Sequence, residues 1–247
     1  MRNGLFILFA GMILIGCQKD DDSGNNNNDN ISCAQFNPNL TYGTLTDIEG
    51  NTYKTIQIGT QTWMAENLRV GKYRDGTLIP NVTDNIQWAN NTAGAWCYYN
   101  NDANNNIAFG KLYNFYAVNN SKNICPSGWH IPTDEDWNNL VKFLDPSFAL
   151  IGYQSIIAGG NMKSDCPKLW QSPNTNANNT SGFSGLPGGA RNTDGSFVSL
   201  GLGGSWWSST QPVNDYAWFR LVFNNNGSVL RGSVLASAGY SVRCIKD

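Results

Sequence analysis

The sequence predicts an α+β fold, and three observations carry that reading. The stretch from Thr133 to Leu144 combines a helix cap with a single apolar face. Several short runs alternate apolar and polar residues between strong turn signals, as antiparallel strands do. Charged residues make up only 14% of the 247 residues, whereas Asn, Gly, Ser, Thr, Trp and Tyr are plentiful. That composition suits short strands, many turns and a neutral hydrogen-bonding surface.

Taken in order, Thr52 to Ile58 reads as a strand, Gly59-Thr60 as a tight turn whose first central position needs positive φ, and Gln61 to Met64 as the returning strand. From Arg74 to Asn106 a long polar stretch is broken by Trp88, Trp96, Tyr98 and Tyr99, and irregular structure is expected. Lys111 to Val118 spaces Leu112, Phe115 and Tyr116 as a helix would, yet is aromatic enough for a strand. In the clearest helix Thr133 is the N-cap, and Asp134, Glu135 and Asp136 occupy the first turn, where the positive end of the dipole favours carboxylates. Trp137, Leu140, Val141 and Leu144 then share one face, and Pro146 stops the helix. The chain is polar from Gly159 to Ser181. Ala217, Phe219, Leu221 and Phe223 next alternate with Tyr216, Trp218, Arg220 and Val222. Asn226-Gly227 marks a hairpin, and Gly239 to Ile245 reads as one last strand.

The N-terminus sets the expected location. Arg2 precedes an apolar run from Leu5 to Gly16, and Gly16 stands before Cys17, the layout of a bacterial lipoprotein signal peptide. The run is shorter than the roughly 20 apolar residues that a membrane span needs. Residues 1–16 are therefore expected to be the signal, Cys17 the lipidated first residue, 17–40 an Asn-rich tether, and 41–247 the folded domain. Gln18-Lys19-Asp20-Asp21-Asp22 also resembles the signal by which Bacteroidetes export lipoproteins to the outer face of the outer membrane. That resemblance implies a lipid-anchored protein exposed on the cell surface.

Sixteen basic and 18 acidic residues give a net charge of −2. Loss of Arg2 with the signal leaves 15 against 18, so neither nucleic acid nor an anionic membrane surface is attracted electrostatically. Six cysteines become five once Cys17 carries lipid, so at least one of Cys33, Cys97, Cys125, Cys166 and Cys244 has no partner within the chain. No Cys-x-x-Cys occurs, which argues against a structural zinc site. No P-loop, dinucleotide glycine pattern or His-Glu-x-x-His motif occurs either, and no cofactor is expected.

Five segments together resemble the Fibrobacter succinogenes major paralogous domain of Bacteroidetes and Fibrobacteres surface lipoproteins. They are Asp47 to Tyr53, Ile58 to Leu68, Gly110 to Val118, Cys125 to Thr133, and Ser205 to Thr210. The resemblance covers roughly Thr44 to Asp247. It implies a disulfide between Cys125 and Cys244, because family members carry cysteines at those positions. It further implies a C-type-lectin-like fold, two short helices packed on twisted antiparallel sheets with long irregular loops, related also to the formylglycine-generating enzyme group. Ile131 to Trp137 is similar to that group's helix start and Gly204-Ser205-Trp206 to its Gly-Gly-Ser-Trp strand. A shared fold does not transfer activity, and no cysteine pair here matches that group's copper-binding pair. Gln211-Pro212-Val213-Asn214-Asp215 is only a loose echo of the lectins' calcium triplets.

His130, the only histidine, would have to serve any Ser/His/Asp or Cys/His arrangement, and its place before the capped helix favours a structural role instead. Trp206 and Trp207 must point to opposite faces of a strand, so one is expected in the core and the other is open to exposure. No catalytic residue is expected. The resemblance places ligand contact in the long segment Gly159 to Ser181. There Trp170 offers a ring for stacking, and Asn174, Asn176, Asn178 and Asn179 offer paired donors and acceptors. The competing reading is a solvated loop whose Trp170 plugs the core. The expected function is non-catalytic binding or adhesion to an extracellular glycan or protein. The alternatives are an enzyme or accessory of the formylglycine-generating type, or a structural or assembly lipoprotein.

Overall fold

The computed structural model describes residues 35–150 and 152–247. Cys17 and the signal segment lie outside the described residues. Strands β1 (Gly43–Thr46), β2 (Thr52–Ile58) and β3 (Gln61–Met64) form an antiparallel meander. Gly59 opens the β2–β3 turn at φ 61°, the left-handed value the Gly-Thr turn demands. The stretch expected to be irregular holds α1 (Asn85–Ala89) and β4 (Trp96–Cys97) and runs into α2 (Asn105–Phe109). The aromatic run that follows is both strand and helix: β5 (Leu112–Asn114) passes directly into α3 (Phe115–Val118). Asn114 makes the switch, because its backbone is extended while its side chain accepts the Ala117 N–H as an N-cap.

Strand β6 (Trp129–His130) leads into α4 (Asp134–Leu144). Thr133 Oγ1 accepts the Asp136 N–H while the Asp136 carboxylate accepts the Thr133 N–H, completing a capping box. Trp137, Leu140 and Val141 are buried on one face. The chain continues through β7 (Tyr153–Ser155), α5 (Ala158–Met162), β8 (Gly188–Arg191), β9 (Phe197–Leu200), β10 (Gly203–Trp207), β11 (Tyr216–Phe223) and β12 (Val229–Leu235). The segment expected to be one last strand divides into β13 (Gly239–Tyr240) and β14 (Ile245–Lys246), which belong to different sheets. β13 pairs with β5 and β8, whereas β14 pairs with β3 and β6.

One sheet runs β1-β2-β3-β14-β6; the larger runs β4-β5-β13-β8-β10-β11-β12-β7, with β9 on β8. Pairing is antiparallel except between β8 and β10. The fold is thus α+β and mostly sheet. Five helices, rather than the two expected, occur among the described residues, and four of them have only four or five residues. No helix among the described residues is long and apolar enough to cross a membrane.

Two large cores flank β10. Trp207 enters one with Tyr113, Phe115 and Phe219; Trp206 enters the other with Trp63, Trp137 and Phe183. The two indoles do point to opposite faces, but both faces are covered and both rings are fully buried. Phe36 and Leu40, expected in the tether, pack against the Trp206 core, and Asn37 Nδ2 donates to the Asn179 carbonyl, so these residues belong to the folded body. Cys125 and Cys244 form the expected disulfide, with their Cα atoms 5.9 Å apart. Cys166 is also disulfide-bonded, and Cys97 is a buried free thiol.

Candidate functional site

The segment expected to carry the ligand divides into spent and unspent groups. Trp170 is only 2% exposed, and its indole N–H donates to the Gly185 carbonyl at 3.1 Å, so its ring packs in the core and presents no stacking face. Asn179 is fully buried, its Oδ1 accepting the Ser184 N–H and its Nδ2 donating to Ser184 Oγ. Asn174 donates through Nδ2 to the Ser164 carbonyl. Asn174, Asn176 and Asn179 all adopt positive φ, at 41°, 62° and 49°. Asn tolerates that left-handed region better than other non-glycine residues, which accounts for the abundance of Asn here without reference to a ligand. Asn176 and Asn178 do reach the surface, where they line a depression of about 420 Å³ with Ile157, Asn161 and Ala177. The Asn178 amide is already bonded to Asn161 Oδ1 and to the Thr180 N–H.

This loop is fixed from beneath by Lys163, which is wholly buried. Its ammonium donates to the carbonyls of Thr175 (2.8 Å), Asn226 (2.9 Å) and Phe223 (3.0 Å). Burial pulls its pKa down to about 8. The three acceptors tie the Asn-rich loop to the β11–β12 turn.

A larger opening, of about 550 Å³, is assembled from three segments. Thr92–Gly94 form one wall, Phe115, Tyr116 and Asn119–Ser121 the second, and Gln211, Asp215 and Ala236 the third. The β5-to-α3 switch at Asn114 buries Phe115 and leaves Tyr116 half-exposed in the wall. Asn119 caps the end of α3 through its backbone, freeing its side chain, which reaches Gln211 Oε1 across 3.4 Å of exposed space. Asp215 sits at φ 65° with its carbonyl accepting the Ala236 N–H. Val213, Tyr216 and Leu235, near Asp215 and Ala236 in sequence, are exposed, Tyr216 bridging to Val213 and pairing with Leu235 across the β11–β12 ladder. Asn119, Asn120 and Ser121 also line a neighbouring cavity of about 360 Å³ that extends to His130, Thr133 and Ser209. The two openings, which share Asn119, Asn120 and Ser121, are together termed the groove; Gln211 lines the larger opening alone.

Gln211 and Asp215 lie in the segment that the sequence marked as a loose echo of calcium triplets, and His130, Thr133, Ser209, Phe115 and Tyr116 in segments that it marked for structure, whereas Thr92–Gly94 and Asn119–Ser121 were not marked for a site. The signal for Asn119–Ser121 was a polar run directly after an aromatic helix. Among the described residues no group of three His, Cys, Asp or Glu side chains is placed to hold a metal. His130 has a carboxylate at each ring nitrogen, Asp247 Oδ1 at 2.7 Å from Nδ1 and Asp136 Oδ2 at 3.3 Å from Nε2. Ser209 Oγ donates to the Ile131 carbonyl instead of to the imidazole. Burial pushes the Cys97 thiol up to about 11 against the pull of Arg191, so little of it is the nucleophilic thiolate.

No curated protein and no solved structure matches the chain. The model of the Fibrobacter succinogenes major domain matches residues 56–246, a span that holds every strand of the larger sheet, both cysteines of the Cys125–Cys244 bridge and the residues that line both openings, and that begins within β2. The chain belongs to the Fibrobacter succinogenes major domain family.

Proposed function

We propose that this protein is a lipid-anchored, non-catalytic binding module of the outer cell surface, with a C-type-lectin-like body and a glycan as its ligand. The observation that carries the reading is the groove at Asn119 and Gln211. Its volume of about 550 Å³ falls in the range of small-ligand sites. The Asn119 and Gln211 amides are bonded to each other at 3.4 Å, so a sugar hydroxyl pair can replace that bond with donor and acceptor both satisfied, whereas Asn120 Oδ1 already accepts the Lys122 N–H. Half-exposed Tyr116, in the same lining as those amides, supplies a ring for stacking. The engaged nitrogens of His130 and the buried Cys97 favour binding over catalysis. Lipidation at Cys17 and display on the surface rest on the sequence layout around Gly16 and Lys19-Asp20-Asp21-Asp22.

One experiment tests anchor and binding together. Intact cells carrying the wild-type chain should retain glycans picked from an array, and cells carrying Cys17→Ser should release that binding activity into the soluble fraction. Asn119→Ala with Gln211→Ala should weaken retention without loss of fold. Retention by Cys17→Ser cells at the wild-type level would remove the anchor. Unchanged affinity in the Asn119/Gln211 variant would move the site to the depression at Asn176 and Asn178.

A further inference from the structure

The charge of the groove selects among ligands of one shape. Neither of the two adjoining cavities is lined by a lysine or arginine. The nearest ammonium in sequence, Lys122, is turned to Asp75 at 3.5 Å and Thr77 Oγ1 at 2.8 Å. On the acidic side, Asp215 lines the larger cavity, is exposed, and has no ion-pair partner among the described residues. At the far end, the carboxylates of Asp136 and Asp247 flank His130. A bound anion would therefore meet the Asp215 carboxylate and no lysine or arginine in the lining of either cavity, whereas an ammonium would find an unpaired carboxylate at Asp215.

On the reading that the groove holds a glycan, we infer that it prefers amine-bearing sugars to neutral ones and rejects uronates, with Asp215 as the specificity-determining residue. The effect is modest, because an exposed ion pair changes affinity only about two- to five-fold and is screened by salt. Asp215→Asn is the suitable variant, since asparagine also tolerates the left-handed backbone that this position adopts.

The test uses three tetrasaccharides on the full chain, in mildly acidic buffer that keeps glucosamine protonated: the β-1,4 glucosamine tetramer, cellotetraose and tetragalacturonate. Calorimetry should rank the glucosamine tetramer about two- to five-fold above cellotetraose, with tetragalacturonate weakest, and the spread should collapse in Asp215→Asn and shrink with added salt. The same ranking in Asp215→Asn, or tetragalacturonate binding most tightly, overturns the inference while leaving the glycan reading intact. Failure of all three to bind also overturns it, and the array then judges the glycan reading separately. A spread that Asp215→Asn abolishes, with binding of all three weakened by Asn119→Ala, supports both.

Discussion

Lys163, Arg191, Arg220 and Arg243 are entirely withdrawn from water, and three of them are held chiefly by backbone carbonyls. Arg191 donates to the carbonyls of Val82, Thr83 and Gly195. Arg243 donates to those of Met64, Phe183 and Ser184 and to Asn67 Oδ1, and stacks on the Phe183 ring 4.1 Å away. The physical need is plain. Irregular segments leave carbonyls outside any ladder, and buried carbonyls must find donors. A guanidinium gathers several at once because its N–H groups fan out in a fixed plane. Arg243→Met should thus orphan Phe183 O and Ser184 O together and cost on the order of 3 to 5 kcal/mol. Arg243→Lys should recover only part of that loss, because one ammonium cannot reproduce the fork. Urea midpoints of the two variants check this; a loss below about 1 kcal/mol in Arg243→Met would show that water replaces the guanidinium.

Helix α4 is fastened to the large sheet by its first turn. Asp134 takes Arg231 Nη2 at 2.8 Å and Arg220 Nη2 at 2.9 Å, and the Arg231 guanidinium lies 3.5 Å from the Trp218 ring centroid. Burial by itself would raise the Asp134 pKa, but hydrogen bonds and charge from Arg231 and Arg220 outweigh it and hold the carboxyl below its usual range. A carboxyl with a depressed folded-state pKa binds fewer protons than in the unfolded chain, so its stabilisation is present above the ordinary value of 3.8 and is lost as pH falls below it. Wild-type stability should therefore drop more steeply than that of Asp134→Asn on acidification below about pH 4, as thermal melts across that window would read out. Equal slopes would leave the clamp without energetic weight. The sequence marked this carboxylate as a helix-dipole partner only, since Arg220 and Arg231 lie 86 and 97 residues away. Helix α4 and the β2–β3 hairpin were legible because cap, turn and periodicity are local signals. Helices α1, α2 and α5 were not, because five residues cannot establish a 3.6-residue period, and α3 was legible only as one of two alternatives for Lys111 to Val118, a span that holds β5 as well. The division of β13 from β14 was hidden for a different reason: which sheet each residue joins is decided by partners more than 100 positions earlier, such as Asn114 and Trp63.

At the scale of the molecule the same limit governs the site. The Asn-rich segment was conspicuous in sequence, yet its asparagines serve largely to turn the backbone, while the groove draws on Thr92–Gly94, Asn119–Ser121, Gln211 and Asp215, which only folding brings together. One covalent link was legible by family resemblance. The Cys125–Cys244 bridge ties the loop that leaves the groove to the residue just before β14, across 119 positions of sequence. Both cysteines are buried, at 1% and 0% exposure, in the Trp207 core. Closing so long a loop removes entropy mainly from the unfolded chain, an effect on the order of 4 to 5 kcal/mol by that account and often less when measured. If that account holds, Cys125→Ala with Cys244→Ala should keep the near-UV circular dichroism and the groove's ligand affinity of the wild type while its urea midpoint falls. A double variant with an unchanged midpoint would mean that the bridge contributes nothing to stability. One whose near-UV signal is lost would mean that the bond instead holds the Trp207 core in register, a folded-state role that loop entropy does not include.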